Sequence, residues 1–532
     1  MMETQSMVIR LKRHEFDHPL PRVAVIGGGF SGIAAGVALR RAGLPFTIFE
    51  RSADIGGTWW DNTYPGAEVD TPSVLYSFSY APRVWSRTHV RQRELLCYLG
   101  DVADRFRIRE HVRTGTAVDR VEWVEEEQAY RLTSGERDLG AFQVVVSAVG
   151  FLNIPRYPEW PGLDEFAGLA VHTSRWPRGL DVRGKRVAVV GTGSTAAQVV
   201  PTIAPDCAAL MLFQREPGWV LPKLDRDYSE AEKDAMRSPT AQRLNRFAML
   251  WRREKSQYRN AGWRPGTPQN AAAEATARSY IGTTFADRPE LAGIVTPAYS
   301  YGGKRPVLSD AFYPALLRPN VSVVPRAVDR VTRAGVVDTD GQEHDVDVLV
   351  MATGFRTDFG FEFDVISRDG RKLAQVWDGE PSAMLGLMVP DVPNFFMMYG
   401  PNTNGGAIVT HLEAQASYIA RAVRSMVRAG ADRIEVRRRP TEIFNRVLQR
   451  RLAGTAFATA NNYYKSGSGR IVTQWSDGAI LYALATRLLG RPTWKYGGAP
   501  RRSRWQDLTR LAHRTSVLAR VDTGGVWTTA DE

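Results

Sequence analysis

Residues 21–50 read PRVAVIGGGFSGIAAGVALRRAGLPFTIFE, and this stretch decides the fold of the N-terminal part of the chain. A short β-branched run leads into a glycine-rich turn, an alanine-rich segment and a second apolar run. The order strand, tight turn, helix, strand is that of a dinucleotide-binding βαβ unit. We therefore predict an α/β fold whose parallel sheet begins here.

Each residue type in this turn has a predicted task. Gly27 permits the tight turn, Gly29 lets the backbone approach a pyrophosphate, and Gly32 lets the helix pack closely on the sheet. The helix N-terminus adds N–H donors and the positive end of the helix dipole. Glu50 ends the next apolar run, where a carboxylate can hold a ribose hydroxyl. We expect FAD at this first site.

The pattern recurs at residues 185–200, KRVAVVGTGSTAAQVV. Here Gly191 and Gly193 are the first two glycines, and Ala196 takes the third place. The following apolar run leads to Arg215 instead of an acid, and a guanidinium suits a 2′-phosphate. We therefore expect NADPH at the second site. The other residues of this loop and helix that we predict to contact the coenzyme are Thr192, Ser194, Thr195 and Gln198.

The predicted fold class is α/β, with two Rossmann-like dinucleotide-binding domains, one for FAD and one for NADPH, and a helical insertion. A chain of 532 residues is too long for a single core. We expect residues 20–155 and 350–490 to form a discontinuous FAD domain and residues 156–345 to form the NADPH domain. Helix-like sequence at about 228–298 predicts the insertion, and residues 496–532 are expected to be a C-terminal tail.

Composition excludes several classes of protein. The formal net charge is +12, but the basic residues are spread along the chain, so we do not expect nucleic-acid binding. No apolar run reaches the length of a membrane span, and the first twenty residues lack an apolar signal core. Cys97 and Cys207 form neither a disulfide framework nor a CxxC pair. We expect a cytoplasmic protein without a metal site, and its oligomeric state stays open.

The linker between the two loops carries the most specific pattern. Residues 166–177 read FAGLAVHTSRWP, which resembles the Phe-x-Gly-x-x-x-His-x-x-x-Trp-Pro fingerprint of the flavin-containing Baeyer–Villiger monooxygenases. The fixed positions match at Phe166, Gly168, His172, Trp176 and Pro177. The resemblance implies that His172 and Trp176 position a hinge between the domains, and that His172 does not itself perform the chemistry.

The resemblance also implies an activity. Members of this family use FAD and NADPH to insert one oxygen atom from O2 beside a ketone carbonyl, through a flavin C4a-peroxide, and so form an ester or a lactone. The expected partners are thus a small-molecule ketone and O2. Residues 303–306, GKRP, resemble the family's Lys-Arg-Pro segment. Arg305 is then expected to stabilise the peroxide and the adduct, and Lys304 to face the NADPH phosphate.

A second family stretch, GGTWWDNTYPGAEVD, covers residues 56–70. Its final residue, Asp70, matches the carboxylate that orients the arginine in this family. The resemblance places Thr58 and Trp59 along the flavin, together with Tyr76 a short distance downstream. One departure stands out: Glu216 occupies the position where members usually carry Thr or Ser. Because a carboxylate cannot donate to a phosphate, we expect a narrower preference for NADPH over NADH than is usual.

Two alternative functions stay open at this point. A flavin-dependent N- or S-oxygenase shares the architecture, although the Trp176-Pro177 ending favours ketone oxidation. A catalytically silent dinucleotide-binding protein is disfavoured by the presence of both Asp70 and Arg305. A flavin disulfide reductase needs two neighbouring redox cysteines, and Cys97 and Cys207 lie in different predicted modules.

Overall fold

Two parallel five-stranded sheets form the centre of the molecule, and each carries one of the glycine-rich loops. The computed structural model describes residues 20–359 and 361–498, without the side chains of residues 256–260. All neighbouring strands of the first sheet run parallel. In spatial order this sheet contains Phe395–Met397, Val144–Ser147, Val23–Ile26, Phe46–Phe49 and Val112–Arg113.

The second sheet repeats this plan further along the chain. Its strands also pair in parallel throughout. The central strands of both sheets are continuous apolar runs because both faces of a parallel sheet are covered. In spatial order the second sheet contains Val321–Val324, Ala209–Phe213, Arg186–Val190, Val348–Met351 and Leu169–His172. The predicted α/β class with two Rossmann-like units is confirmed.

Smaller sheets surround these two. A four-stranded sheet contains Asp364–Ile366, Arg120–Val124, Ala129–Ser134 and Arg137–Phe142. A three-stranded antiparallel sheet contains Val328–Val331, Gly335–Asp338 and Glu343–Asp345. Two strand pairs complete the β-structure: Val220–Leu221 with Val307–Leu308, and Arg433–Val436 with Trp494–Gly497.

Helices cover the sheets and fill the region between residues 228 and 298. The longest described helix, Ile408–Arg428, packs beside Phe30–Arg41 over the first sheet, where both helices contribute to one apolar core. The remaining α-helices are Thr58–Asp61, Gln92–Arg105, Ser194–Ile203, Glu230–Arg237, Pro239–Gln257, Pro268–Thr284, Pro289–Val295, Phe312–Leu316, Leu373–Trp377, Arg438–Leu452, Ala479–Leu488 and Gly490–Thr493. Short 3-10 helices span Arg109–His111, Leu163–Glu165, Thr173–Arg175, Tyr258–Trp263 and Ala456–Ala458.

Two predicted boundaries need correction. The strand Val348–Met351 hydrogen-bonds to both Arg186–Val190 and Leu169–His172, so it belongs to the second sheet. A boundary at 350 therefore cuts through this strand, because an apolar run alone does not reveal which sheet its partners belong to. The predicted tail at 496–532 overlaps the strand Trp494–Gly497, and its residues from 499 onward lie outside the described part.

Among the described residues, every helix is too short or too polar to cross a bilayer.

Candidate active site

The first glycine-rich loop has room only for glycine at two positions. Gly27 has a φ of +105°, and a Cβ there would lie 2.8 Å from the carbonyl oxygen of Ala148. A Cβ on Gly32 would lie 1.9 Å from the carbonyl oxygen of Gly27. The turn thus folds onto the start of helix Phe30–Arg41 so closely that no side chain fits between them.

Glu50 shapes this loop from the neighbouring strand. Its buried carboxylate accepts a hydrogen bond from the backbone N–H of Gly28 at 2.6 Å and another from Ser52 at 2.8 Å. Because Glu50 directly follows the strand Phe46–Phe49, which pairs in parallel with Val23–Ile26, its carboxylate lies at the same sheet edge as the first glycine-rich loop. Glu50 therefore fixes the loop geometry, in addition to the ribose contact that we predict for it.

A cavity of about 410 Å³ opens beside the first loop. The N-terminus of helix Ile408–Arg428 reaches this cavity, so its free N–H groups and positive dipole face the interior. The lining includes six of the predicted cofactor residues, namely Gly27, Gly29, Glu50, Thr58, Trp59 and Tyr76. Sequence reasoning missed other parts of the wall, which include Thr116, Asp119, Arg175, Tyr399 and Ile408.

The second glycine-rich loop has the same backbone geometry. Gly191 has a φ of +124°, and a Cβ there would lie 2.4 Å from the carbonyl oxygen of Ala352. A Cβ on Gly193 would meet no atom within 4 Å, so the backbone at this position faces open space that a phosphate group can approach. Ala196 is fully buried at the third position, and Ser194–Ile203 is the helix that follows.

The side chain of Gln198 lies between the two domains. Its Oε1 accepts from the hydroxyl of Tyr64 at 2.9 Å, and its Nε2 donates to the carbonyl oxygen of Glu68 at 3.0 Å. Thr195 also hydrogen-bonds to Tyr64. Gln198 therefore ties the second nucleotide helix to the stretch that ends in Asp70, and its predicted contact with a coenzyme stays a prediction.

Asp70 and Arg305 form an ion pair across 235 positions of the sequence. The guanidinium Nη2 donates to the carboxylate Oδ2 at 2.5 Å. Burial alone would raise the pKa of Asp70, but the charge and hydrogen bond of Arg305 outweigh it and lower that pKa. The charge of Asp70 in turn raises the pKa of Arg305 well above its usual value, although burial opposes this. The guanidinium of Arg305 therefore keeps its positive charge, beside an ionised Asp70.

Aromatic hydroxyls surround the guanidinium of Arg305. Tyr463 hydrogen-bonds to it, and Tyr399 and Tyr464 lie close enough for their electrostatic influence to reach it. Burial raises the pKa of Tyr399 and of Tyr463, so both are neutral hydroxyls at physiological pH. Sequence reasoning missed these residues, because two adjacent tyrosines in the stretch FATANNYYKSG give no motif.

Helix Pro239–Gln257 of the inserted region adds a second arginine to this group. Arg253 lies near Asp70 and Arg305, and burial lowers its pKa while the charge of Asp70 raises it. The helical insertion thus forms part of the wall around the pair. Only the fold places this arginine there, since arginines are frequent throughout the inserted segment.

Lys304, beside Arg305 in the chain, points toward the second loop. Its ammonium forms an ion pair with the carboxylate of Glu216 and lies 5.3 Å from the ring centroid of Tyr299. The backbone carbonyl of Glu216 accepts from Thr192 Oγ1 at 3.2 Å, so Glu216 is held against the second loop. Arg215 is exposed at the same edge. Lys304 therefore lies at the second loop, paired with Glu216, and the phosphate contacts of Arg215 and Lys304 stay predictions.

A buried lysine joins the two domains near Asp70. The side chain of Lys223 is 2 % exposed, and its Nζ lies 2.7 Å from Oε1 of Glu68. Its charge also contributes to the lowered pKa of Asp70. A charged side chain is almost never fully buried unless it is paired, so this pair holds two otherwise separate loops together. The sequence offered no signal for it beyond a lysine after a proline.

His172 of the linker fingerprint is buried, and both of its ring nitrogens have a partner. Nε2 donates to the carbonyl oxygen of Gly354 at 3.0 Å, and Nδ1 accepts from the backbone N–H of Ser174 at 3.2 Å. Burial lowers the pKa of His172, so the imidazole is neutral. Arg156 also donates its backbone N–H to the Gly354 carbonyl, at 2.9 Å. His172 thus lies where the two chain segments cross between the domains.

The other fingerprint residues pack around this crossing. Trp176 is buried in the core beneath the second sheet, and Phe166 packs at the opposite face of that sheet. A Cβ on Gly168 would lie 2.5 Å from the carbonyl oxygen of Asp347, so this position has no room for a side chain. The fingerprint is therefore built into the second domain, at the crossing between the domains.

Comparison with known proteins gives a consistent result. The pyridine nucleotide-disulphide oxidoreductase family matches residues 24–230. A Baeyer–Villiger monooxygenase of Streptomyces coelicolor is 38 % identical over 485 residues, which cover 90 % of this chain and 93 % of the relative. A Baeyer–Villiger monooxygenase of Pseudomonas aeruginosa is 36 % identical, covering 88 % of this chain and 89 % of the relative.

Solved structures agree with these relatives. Cyclohexanone monooxygenase from Rhodococcus sp. Phi1 bound to NADP⁺ superposes with a TM-score of 0.82 at 29 % identity, covering 91 % of this chain and all of that one. OTEMO in complex with FAD and NADP superposes with a TM-score of 0.81 at 25 % identity, covering 90 % of this chain and all of that one. The two glycine loops, the cavity, the linker fingerprint and these relatives agree, and the chain therefore belongs to the Baeyer–Villiger monooxygenase family.

Proposed function

We propose that this chain is an FAD- and NADPH-dependent Baeyer–Villiger monooxygenase that converts a ketone and O2 into an ester or a lactone. The observation that carries the proposal is the Asp70–Arg305 ion pair, which links residues of the two predicted dinucleotide-binding domains. The two glycine-rich loops alone do not distinguish this activity, because many flavoproteins bind their nucleotides with such loops. A permanently charged arginine at this point suits chemistry in which negative charge develops on oxygen.

The residues beside the first loop fit FAD. The cavity is lined by the glycine turn and the Glu50 residue, and also by Thr58, Trp59 and Tyr76. Flavin supplies the activation of O2 and the transfer of one oxygen atom when it is bound. The protein's contribution is to hold the ring system against this wall and to limit water around it.

Arg305 is proposed as the catalytic cation. An arginine keeps its proton at any pH at which the protein is folded, and Asp70 raises its pKa further. Its guanidinium can therefore stabilise an oxyanion without giving up a proton. Asp70 orients that guanidinium through the hydrogen bond from Nη2. The neighbouring hydroxyl of Tyr463 restricts the guanidinium further.

The second domain is proposed to bind NADPH. Gly193 faces open space at the N-terminus of helix Ser194–Ile203, which suits the pyrophosphate. Arg215 and Lys304 are the cations that would hold the 2′-phosphate, and Glu216 competes for Lys304. In this assignment residues 20–155, with the segment that follows the strand Val348–Met351, bind FAD.

His172 is proposed as a hinge residue. It holds the carbonyl of Gly354, which is where the returning chain leaves the second sheet. The coenzyme must first reduce the flavin and then change its position. The connection between the domains therefore has to hold them in a specific arrangement and still allow them to move. His172 acts through the backbone in this proposal and takes no part in proton transfer.

A substrate panel with purified protein tests the proposal. We expect a yellow flavoprotein that oxidises NADPH when a ketone is added and forms a product heavier by one oxygen, detected by mass spectrometry. Arg305→Ala should keep FAD and its reduction by NADPH, and should lose ester formation by about 100-fold or more. Arg137→Ala is the control, since Arg137 is exposed on the surface strand Arg137–Phe142.

Two results would contradict the proposal. Ester formation that survives in Arg305→Ala would remove this residue from the mechanism. Oxygenation of amines or sulfides by the wild type, without any product from ketones, would assign the chain to the N- or S-oxygenases instead.

A further inference from the structure

Two neighbouring helices carry apolar rows that face solvent. On Pro239–Gln257 the row consists of Leu244, Phe247 and Trp251, and on Ala479–Leu488 and the residue after it the row consists of Leu481, Leu484, Leu488 and Leu489. These seven side chains are called the apolar face below. They include most of the large apolar side chains that are exposed in the described part of the chain.

Several side chains of the apolar face are largely exposed to solvent. Leu244 is 66 % exposed, Phe247 is 60 % exposed and Leu488 is 62 % exposed. The rings of Phe247 and Trp251 stack on each other with centroids 6.3 Å apart. Clustered exposure of this kind marks an interaction surface, whereas single exposed leucines need no explanation.

A carboxylate joins the two helices end to end. Glu254 accepts a hydrogen bond from the backbone N–H of Ala479 at 2.7 Å and another from Ile480 at 3.2 Å. Trp251 and Leu481 each lie within about one helical turn of this junction. The two apolar rows therefore begin at the same place on the surface.

The inner side of Pro239–Gln257 is already occupied. Arg246 donates to the carbonyl oxygen of Ser77 at 2.8 Å, and Gln242 Nε2 donates to the carbonyl oxygen of Arg83 at 3.0 Å. These contacts dock the helix on the first domain through polar groups. The apolar row is thus not the side by which the helix is held in the fold, and it is left for another partner.

The two helices that carry the apolar face are themselves basic. Their exposed charged residues are Arg243, Arg252, Lys255 and Arg487, and Arg491 lies in the short helix that follows. Exposed acids occur on the preceding helix Glu230–Arg237, where Glu230 pairs with Lys233 and Asp234 pairs with Arg237. The acidic residue of Pro239–Gln257 is Glu254, which is engaged at the helix junction. Leucine and aromatic side chains bordered by arginine and lysine are typical of surfaces that lie in the headgroup region of an anionic bilayer.

Charge argues against the other occupants. A second copy docked by the same face would bring two basic surfaces together, since a twofold interface pairs a patch with itself. The C-terminal segment at residues 501–520 carries six arginines and one aspartate, so it would also meet like charge. An anionic lipid surface satisfies both the apolar rows and their basic border.

We propose that the apolar face docks this protein on the surface of an anionic lipid membrane. The docking is peripheral: the rows enter the headgroup region and the basic residues contact lipid phosphates. Helix Pro239–Gln257 also reaches the Asp70–Arg305 pair through Arg253 on its other side. Docking would thus bring the wall of the candidate active site close to a membrane, where apolar ketones concentrate.

Vesicle sedimentation with the full-length protein tests the proposal. The probe is a vesicle of equal parts phosphatidylcholine and phosphatidylglycerol, with pure phosphatidylcholine for comparison. We expect sedimentation with the anionic vesicles, weaker sedimentation with the neutral ones, and release at high salt. Phe247→Ser with Leu484→Ser should lower the partition coefficient by about tenfold or more.

Leu224→Ser is the matched control, because Leu224 is 79 % exposed on a loop outside the apolar face. It should bind vesicles like the wild type. Circular dichroism and thermal unfolding establish that each variant is folded, independently of any enzymatic activity. The outcome is therefore separate from the success or failure of the proposed oxygenation.

Three results would overturn the proposal. The first is wild-type protein that fails to bind either vesicle, or a Phe247→Ser/Leu484→Ser variant that binds as the wild type does. The second is a dimer in sedimentation velocity that the Phe247→Ser/Leu484→Ser variant dissociates, which would assign the face to a second copy. The third is vesicle binding seen only in a Trp505→Ser/Leu508→Ser variant, which would assign the face to the C-terminal segment.

Discussion

Replacing Glu216 is expected to widen the preference for NADPH over NADH. The carboxylate of Glu216 forms an ion pair with Lys304, and its backbone carbonyl is held by Thr192 at the second loop. A 2′-phosphate bound by Arg215 and Lys304 would have to share Lys304 with this carboxylate. Only NADPH carries that phosphate, so the competition falls on NADPH and not on NADH.

The size of the effect follows from exposure. The side chain of Glu216 is 39 % exposed and that of Lys304 is 26 % exposed, so the pair is screened by solvent. A pair of this kind contributes at most about 1 kcal/mol. Repulsion between the carboxylate and a nearby phosphate adds a similar or smaller amount in high dielectric. Together these correspond to about 1–1.5 kcal/mol, or about a 5- to 12-fold change in the ratio of efficiencies.

The assay compares kcat/KM for the two coenzymes at one ionic strength. Glu216→Thr should raise the NADPH to NADH ratio by this factor, mainly through NADPH. Glu216→Gln is the matched control for shape, since it keeps the size of the side chain and removes its charge. It should give a similar gain if charge is the cause. Raising the salt concentration should shrink the gain.

Three outcomes would refute parts of this reasoning. A wild type that prefers NADH would show that Arg215 and Lys304 do not hold a phosphate. An unchanged ratio in Glu216→Thr, with a lowered ratio in Lys304→Ala, would show that the carboxylate does not compete. A gain in Glu216→Thr without one in Glu216→Gln would credit the threonine hydroxyl, and not the lost charge.

Three further predictions concern the contacts around the site. Asp70→Asn should keep FAD but slow ester formation by about 100-fold. Because the pKa of Asp70 is lowered in the folded state, its contribution to stability is present above about pH 4 and is lost as the pH falls through the folded pKa. The difference in unfolding free energy between wild type and variant, measured with denaturant, should therefore disappear in acid, and a difference that persists would contradict the pairing. His172→Ala should lower the free energy of unfolding by about 1–3 kcal/mol, because a buried ring is removed and the Ser174 N–H loses its acceptor, although the Gly354 carbonyl keeps the N–H of Arg156. The variant should also slow flavin reduction by NADPH in stopped-flow measurements, and unchanged reduction would remove the hinge role. Lys223→Met should lower the free energy of unfolding, measured with denaturant, by about 2–3 kcal/mol, which is less than for a fully buried pair because Glu68 is partly exposed. The double variant Lys223→Met/Glu68→Leu should recover most of this loss. A double variant as unstable as the single one would mean that packing, and not charge, is lost.

The sequence alone determined the two nucleotide units and the family. Gly27 and Gly191 have positive φ, a backbone conformation of the turn itself that favours glycine whatever lies nearby. Such short-range requirements leave a readable pattern in the chain. The linker fingerprint from Phe166 to Pro177 is recognised through resemblance to the family, although Gly168 and His172 contact Asp347 and Gly354, which are distant in sequence.

The pairing of Asp70 with Arg305 came only through resemblance to a family. No local rule connects positions 235 residues apart. The same holds for the sheet to which Val348–Met351 belongs, because an apolar run suits either sheet equally well.

The tertiary structure decided which polar and charged side chains form pairs. Glu216 meets Lys304, Lys223 meets Glu68, and Tyr463 meets Arg305, although none of these pairs lies within one local element. Each contact depends on how the two domains and the inserted helices pack, which the summed burial of many side chains sets. A residue's own sequence neighbourhood specifies its backbone conformation, whereas its partner across the cleft is specified by the whole fold.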